Sequence, residues 1–212
     1  MVRPNAAAPR LRLIGADDSR VRASEAPLGL PDEQLVARVG RGDAAAFETL
    51  YRRHAAFALN LAVRIQGSTA DVEDVVHDAF LRAHERLADL REGTAFRAWL
   101  GSIVVRLVRT RLRRRRLVAL LGLATPEPVD LEAVAAGDAD PEARALLAQV
   151  YALLQSLPLD DRIAWTLRYV DRHRLESVAE LTGCSLATAK RRIARAQSFL
   201  DERFVSPFAE EP

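Results

Sequence analysis

From residue 31 onward, apolar side chains recur at spacings of three and four, and no stretch alternates at a period of two, so the pattern predicts an all-α chain. Leu35, Val36 and Val39 predict a short helix whose first turn holds Asp32 and Glu33, where the helix dipole favours acids; Gly40 and Gly42 end it. Asp43 is the expected cap of a longer helix, which Phe47, Leu50, Tyr51, Phe57, Leu61, Val63 and Ile65 carry to Gly67. Ser68 or Thr69 should cap a third, with Val72, Val75, Val76, Ala79, Phe80, Ala83 and Leu87 on one face. Thr94 should cap a fourth, with Phe96, Trp99, Leu100, Ile103, Val104, Leu107 and Val108 inside.

The stretch from Thr125 to Asp140 holds Pro126, Pro128, Gly137 and several acids, and reads as a linker. Beyond it, Asp140 followed by Pro141 predicts a capped helix through Ala145, Leu146, Val150, Leu153 and Leu154 to Leu157, where Pro158 breaks it. Asp160 and Asp161 open the next helix, with Ile163, Leu167 and Val170 inward. A short helix from Leu175 to Leu181 then leads through Thr182, Gly183 and Cys184 to Ser185, the expected cap of a last helix reaching Leu200. Residues 1–30, with Pro4, Pro9, Pro27, Gly15 and Gly29, carry no period and read as a mobile extension.

At 212 residues, 49% hydrophobic and 28% charged, the composition is globular. The longest apolar run, Leu117 to Ala124, falls well short of the ~18 residues of a membrane span, and no signal-like segment opens the chain. A lone cysteine, Cys184, excludes an internal disulfide and a cysteine metal cage, so a cytoplasmic location is expected. The four histidines are too scattered for a zinc motif. Nor is there a paired nucleophile and base or a glycine-rich phosphate loop, so an enzyme acting on nucleic acid is not expected.

Net charge is only +2, but charge is segregated. Gly101 to Arg116 contains Arg106, Arg109, Arg111, Arg113, Arg114, Arg115 and Arg116 with no acid; Leu117 to Glu142 contains Glu127, Asp130, Glu132, Asp138, Asp140 and Glu142 with no base. The last two predicted helices have the layout of a helix-turn-helix: Ala179 permits close crossing and Gly183 suits a left-handed turn. The second of them puts Leu186, Ala189, Ile193 and Ala196 inward, leaving Thr188, Lys190, Arg191, Arg192 and Arg195 for a groove and its phosphates. A solvated basic helix ending a bundle is the competing reading. Asp71, Asp74 and Asp78 share an acidic stripe on the third helix; His77 lies about 100° from Asp78, so a partner surface or plain solvation fits better than a metal site.

The run DVEDVVHDAFLRAHERLADLREGTAFRAWLGSIVVRLVRTRLRRRR, residues 71–116, closely resembles the second conserved domain of bacterial extracytoplasmic-function sigma factors. The run LPLDDRIAWTLRYV…LESVAELTGCSLATAKRRIARAQ, residues 157–197, resembles their fourth. With GDAAAFETLYRRH the resemblance covers most of 31–197. It implies two small helical domains, 31–116 and 141–205, joined by an acidic linker, 117–140, with a tail at 206–212. It further implies a dissociable initiation subunit with no cofactor and no catalysis, which binds core RNA polymerase and recognises promoter DNA at its −10 and −35 elements.

By the same resemblance, Asp71, Asp74, Asp78, Leu81 and Arg82 are candidates for docking on the clamp helices of the polymerase's largest subunit, while the fourth domain meets the flap of the second-largest. Leu90, Arg91, Glu92, Gly93 and Thr94 form the loop that captures a flipped base of the −10 element, and Arg106, Arg109 and Arg113 are further candidates for contact with the −10 region. Thr188, Lys190, Arg191, Arg192 and Arg195 are the candidate −35 contacts. Phe96 and Trp99 match the family's aromatic positions, with core packing against Ile103 the expected role. Ala187 stands where the family often has glycine, Arg191 where it often has serine, and His173 with Arg174 replaces a common Leu-Ser. An anti-sigma factor is a candidate further partner, and membrane insertion is not expected. The rival function is an autonomous helix-turn-helix regulator, which would bind duplex DNA by itself as a dimer.

Overall fold

The computed structural model describes residues 29–123, 130 and 141–204. Among them all regular structure is helical: α1 (Asp32–Val39), α2 (Ala44–Gln66), α3 (Val72–Glu85) and α4 (Phe96–Leu120) form one bundle. The second comprises α5 (Pro141–Ser156), α6 (Leu159–Trp165), α7 (Leu175–Thr182) and α8 (Leu186–Arg203). Two 3₁₀ turns, Leu87–Asp89 and Gly93–Ala95, join α3 to α4.

Several ends form for the local reasons expected. Asp43 accepts the Ala46 N–H at 3.1 Å, and Arg38 Nε donates to it at 2.7 Å. The Arg38 bond, with that of Ala46, holds the Asp43 carboxyl below the usual range. Gly67 ends α2 at φ 77°, and Gly183 ends α7 at φ 65°. The Ser185 hydroxyl caps α8 by accepting from the Thr188 N–H at 3.2 Å.

Other expectations need correction. The residue before α3 is Asp71, at φ 54°, with no capping side chain; Gln66 donates to the Ser68 hydroxyl, and the Thr69 hydroxyl donates to Asp130. Thr94 lies inside a 3₁₀ turn and does not cap α4. α4 continues to Leu120, a turn past the expected start of the linker at 117. Leu186 is exposed rather than inward. The helix after Pro158 passes into a π-helical turn, Thr166–Val170, where the Asp171 N–H donates to the Thr166 carbonyl. The expected extension at 1–28, the cap at Asp140 and most of the linker lie outside the described residues.

The apolar core is continuous across the two bundles. Leu35, Leu50, Leu61, Val75, Phe80, Phe96, Leu100 and Val104 belong to the same cluster as Ile163, Leu167, Val178 and Leu181; Leu154, Leu157, Ala196 and Leu200 form a smaller one beneath α5 and α8. Gly101 is the seam. A Cβ there would lie 2.8 Å from Leu181 Cδ2, so the absent side chain lets α7 sit against α4.

A polar clasp completes the joint. The Arg162 guanidinium is buried and donates to the carbonyls of Gln66 at 2.8 Å and Ile65 at 3.2 Å, satisfying acceptors that the end of α2 leaves unpaired. The Tyr151 hydroxyl donates to the Arg64 carbonyl at 2.6 Å, its ring packs on Gly67, and burial raises its ionisation well above the ordinary phenol. Arg64 also pairs with Asp171. The linker touches the same turn at one described point: the Asp130 N–H donates to the Gly67 carbonyl at 2.8 Å, and its carboxylate accepts from Thr69 at 2.9 Å.

Candidate nucleic-acid interface

Three surfaces carry the expected residues. On α3, the buried stripe of Val72, Val75, Val76, Ala79, Phe80 and Ala83 turns Asp74, His77, Asp78, Leu81 and Arg82 to solvent. Leu81 is 50% exposed in the middle of this acidic face. Asp71 and Asp74 lean on the arginine run: Arg111 donates to the Asp71 carbonyl at 2.6 Å and lies 3.7 Å from the Asp74 carboxylate, and Arg115 donates to the Asp71 carboxylate at 3.0 Å. Among the described residues no group of three or more His, Cys, Asp or Glu side chains could hold a metal ion.

The second surface is the loop between α3 and α4. Leu90 packs against the core, Gly93 touches α1, and Arg91, Glu92 and Thr94 face solvent. Phe96 is fully buried, with its ring 5.2 Å from His54 and 6.2 Å from the half-buried Trp99, so Phe96 is a core residue.

The third surface is α8. Ala189, Ile193 and Ala196 face inward; Lys190 and Arg191 stand exposed, and Thr188 is half-buried with its hydroxyl 2.9 Å from the capping Ser185. Arg192 and Arg195 have intramolecular partners. Arg195 makes a bidentate pair with the buried Asp161, at 2.7 and 2.9 Å, which raises the basicity of the guanidinium and ties α8 to α6. Arg192 donates to Asp160 at 2.9 Å, and Arg109 of α4 donates to the same carboxylate at 2.7 Å, with Arg113 at 3.7 Å. Partial burial alone would raise the Asp160 carboxyl; Arg109, Arg192 and Arg113 outweigh it and hold the group below the usual range.

From the sequence, Asp160 and Asp161 read as a helix opening and Arg162 has no assigned role. Their role depends on partners 30 to 100 residues away, and no local pattern encodes it. A further patch, Leu117, Leu120, Leu121 and Leu123, is exposed at the end of α4, and an open groove of about 460 Å³ runs from it between Arg113, Arg116, Pro158, Leu159 and Asp160. Arg106, Arg114 and Arg116 are exposed along the same helix.

Two bundles, one with an exposed acidic face and a cationic helix, the other a helix-turn-helix with outward cations, have the layout of a two-part DNA-binding factor. Residues 50–118 match the Sigma-70 region 2 family and residues 147–200 match Sigma-70, region 4. The RNA polymerase sigma-H factor of Pseudomonas aeruginosa is 32% identical over 178 residues, covering 81% of this chain and 92% of that protein. The ECF RNA polymerase sigma-E factor of Escherichia coli K12 is 32% identical over 190 residues, covering 82% and 94%. The solved structure of CnrH, in complex with the cytosolic domain of CnrY, is 28% identical with a TM-score of 0.56 and covers 81% of this chain and 95% of that one. The chain belongs to the ECF RNA polymerase sigma factors, and is a transcription initiation factor that works with RNA polymerase in promoter recognition.

Proposed function

We propose that the three surfaces divide the work of initiation. The exposed face of α3, with Asp74, Asp78, Leu81 and Arg82 and with Asp71 at its edge, docks on the clamp helices of the polymerase's largest subunit. Residues 31–116 read the −10 element, through the loop Leu90 to Thr94 and through Arg106, Arg109 and Arg113 further along α4. Residues 141–205 read the −35 element and meet the flap of the second-largest subunit. Thr188, Lys190 and Arg191 face the groove; Arg195 stays exposed while paired with Asp161 and joins them from there, whereas Arg192 reaches DNA only by leaving Asp160. The chain supplies specificity and no chemistry of its own, and acts in the cytoplasm; no described helix is long and apolar enough to cross a membrane.

The observation that carries this reading is the outward placement of Lys190 and Arg191 on a capped helix whose opposite face is locked onto α7 and α6. The packed arrangement has a consequence. Elements centred about 25 base pairs apart are separated by roughly 85 Å at ~3.4 Å per base pair. Arg109 and Arg192 meet on one carboxylate, so contact with both elements requires the clasp to open. The acidic linker then spans the gap and threads the polymerase cleft. CnrH was solved with the cytosolic domain of CnrY bound, which supports a further protein partner for this chain, and an anti-sigma factor is the class of partner that the resemblance implies.

Reconstituted transcription tests the reading. Core polymerase with the purified chain should give transcripts from a discrete set of promoters that core alone does not use. Specific duplex binding by the chain as a dimer, with no promoter-directed transcript, would favour the autonomous regulator instead.

A further inference from the structure

We infer that α1 is the brace that positions the base-capturing loop, acting through a direct backbone contact between Glu33 and Gly93. The inference rests on the reading of Leu90 to Thr94 as the −10 loop and deepens it by assigning a task to a helix that otherwise only adds to the bundle.

The contact leaves no room for a side chain. A Cβ on Gly93 would lie 2.6 Å from Glu33 Cα and 3.2 Å from its Cβ and Cγ, and a backbone atom cannot swing aside as a flexible side-chain tip can. Gly93 is not in the left-handed region, so glycine is required there by space rather than by conformation.

The helix it leans on is itself fixed. Asp32 accepts from Arg53 Nη1 at 2.6 Å, its other oxygen lies 2.8 Å from His54 Nε2, and Arg53 Nη2 donates to the Leu30 carbonyl at 2.9 Å. Leu35 is fully buried one turn on. His54 also packs against Phe96, the first residue of α4, so the clamp that holds α1 borders the exit of the loop as well. Leu90 anchors the entrance.

Arg91, Glu92 and Thr94 are thus exposed on a segment secured at Leu90, Gly93 and Phe96. A flipped base has lost its stacking, at a cost of a few kcal/mol, and only a pocket already in place can return that energy without first paying to order itself. Asp32, Glu33 and Gly93 are positioning residues in this scheme.

The test uses holoenzyme assembled from core polymerase and the full-length chain, on a promoter whose −10 region is pre-opened by mismatches, with all four bases compared at each −10 position. Gly93→Ala should lower base preference at one position about tenfold, and Asp32→Asn about threefold at the same position, with core-polymerase capture unchanged. Gln34→Ala, on the exposed side of α1, should match wild type. Arg91→Ala combined with Thr94→Ala probes the loop directly. Lost preference in that double variant with wild-type preference in both Gly93→Ala and Asp32→Asn would overturn the brace while leaving the loop assignment standing. Wild-type preference in the double variant would overturn the loop assignment, and the brace with it. If Gly93→Ala does not fold, Asp32→Asn carries the decision, and a loss of core capture equal to the loss of preference would reduce the contact to packing.

Discussion

α4 and α8 are both long, amphipathic and arginine-rich, yet they use their arginines differently. On α4, the cations of Arg109, Arg111, Arg113 and Arg115 lie on or near the carboxylates of Asp71, Asp74 and Asp160, so much of the run is neutralised within the chain. On α8, two arginines tie the helix down through Asp160 and Asp161, while Lys190 and Arg191 stay exposed. Arg191 points almost opposite the buried Ala189, Ile193 and Ala196 at 100° per residue. Cation density in the sequence is therefore a poor guide to which helix keeps its cations unneutralised. What decides is the carboxylate that each guanidinium meets, and Asp160 takes from both helices at once.

The comparison can be broken most forcefully at the clasp. Arg162→Ala removes a buried cation and leaves two carbonyls at the end of α2 unpaired, which should cost about 3 kcal/mol in urea unfolding. The same substitution should raise the radius of gyration by small-angle scattering and make Arg109 and Arg192 independent of each other. An unchanged radius would mean that the apolar seam at Gly101 and Leu181 holds the bundles together alone.

Acid should act in the same direction with a smaller effect. Burial would raise Asp171, but His173 and Arg64 hold it below the usual carboxylate range, as the arginines do for Asp160. A carboxyl depressed in the folded state contributes stability that is complete above its unfolded value, near ~3.9, and is lost as pH falls through the folded value. Stability and compactness should therefore hold from neutral pH to about 4 and decline below it, with Asp160→Asn removing part of the decline. A steady loss beginning near pH 6 would point to histidines instead.

The local features were legible in the sequence because they depend on neighbours a few residues apart. Asp43 and Ser185 cap as their side chains dictate, and Gly67 and Gly183 supply left-handed ends. The α3 start failed because Ser68 and Thr69 spend their hydroxyls on Gln66 and Asp130, the second of them across 61 residues. The continuation of α4 to Leu120 was hidden because leucines following arginines read as the start of a linker. In the candidate site, the residue set came from residue pattern and resemblance, but the division within it did not. Asp161 beneath Arg195, and Asp160 between Arg109 and Arg192, are pairings across 34, 51 and 32 residues that no spacing rule predicts.

The most direct measurement is the promoter preference of holoenzyme across a randomised −35 element, read by transcript sequencing for wild type and for Lys190→Ala combined with Arg191→Ala. The outward face of α8 should be worth about 1 to 3 kcal/mol for a base contact, so preference at the affected −35 positions should flatten while −10 preference and core-polymerase capture stay as in wild type. Unchanged −35 preference in the double variant would contradict the assignment of that face to DNA.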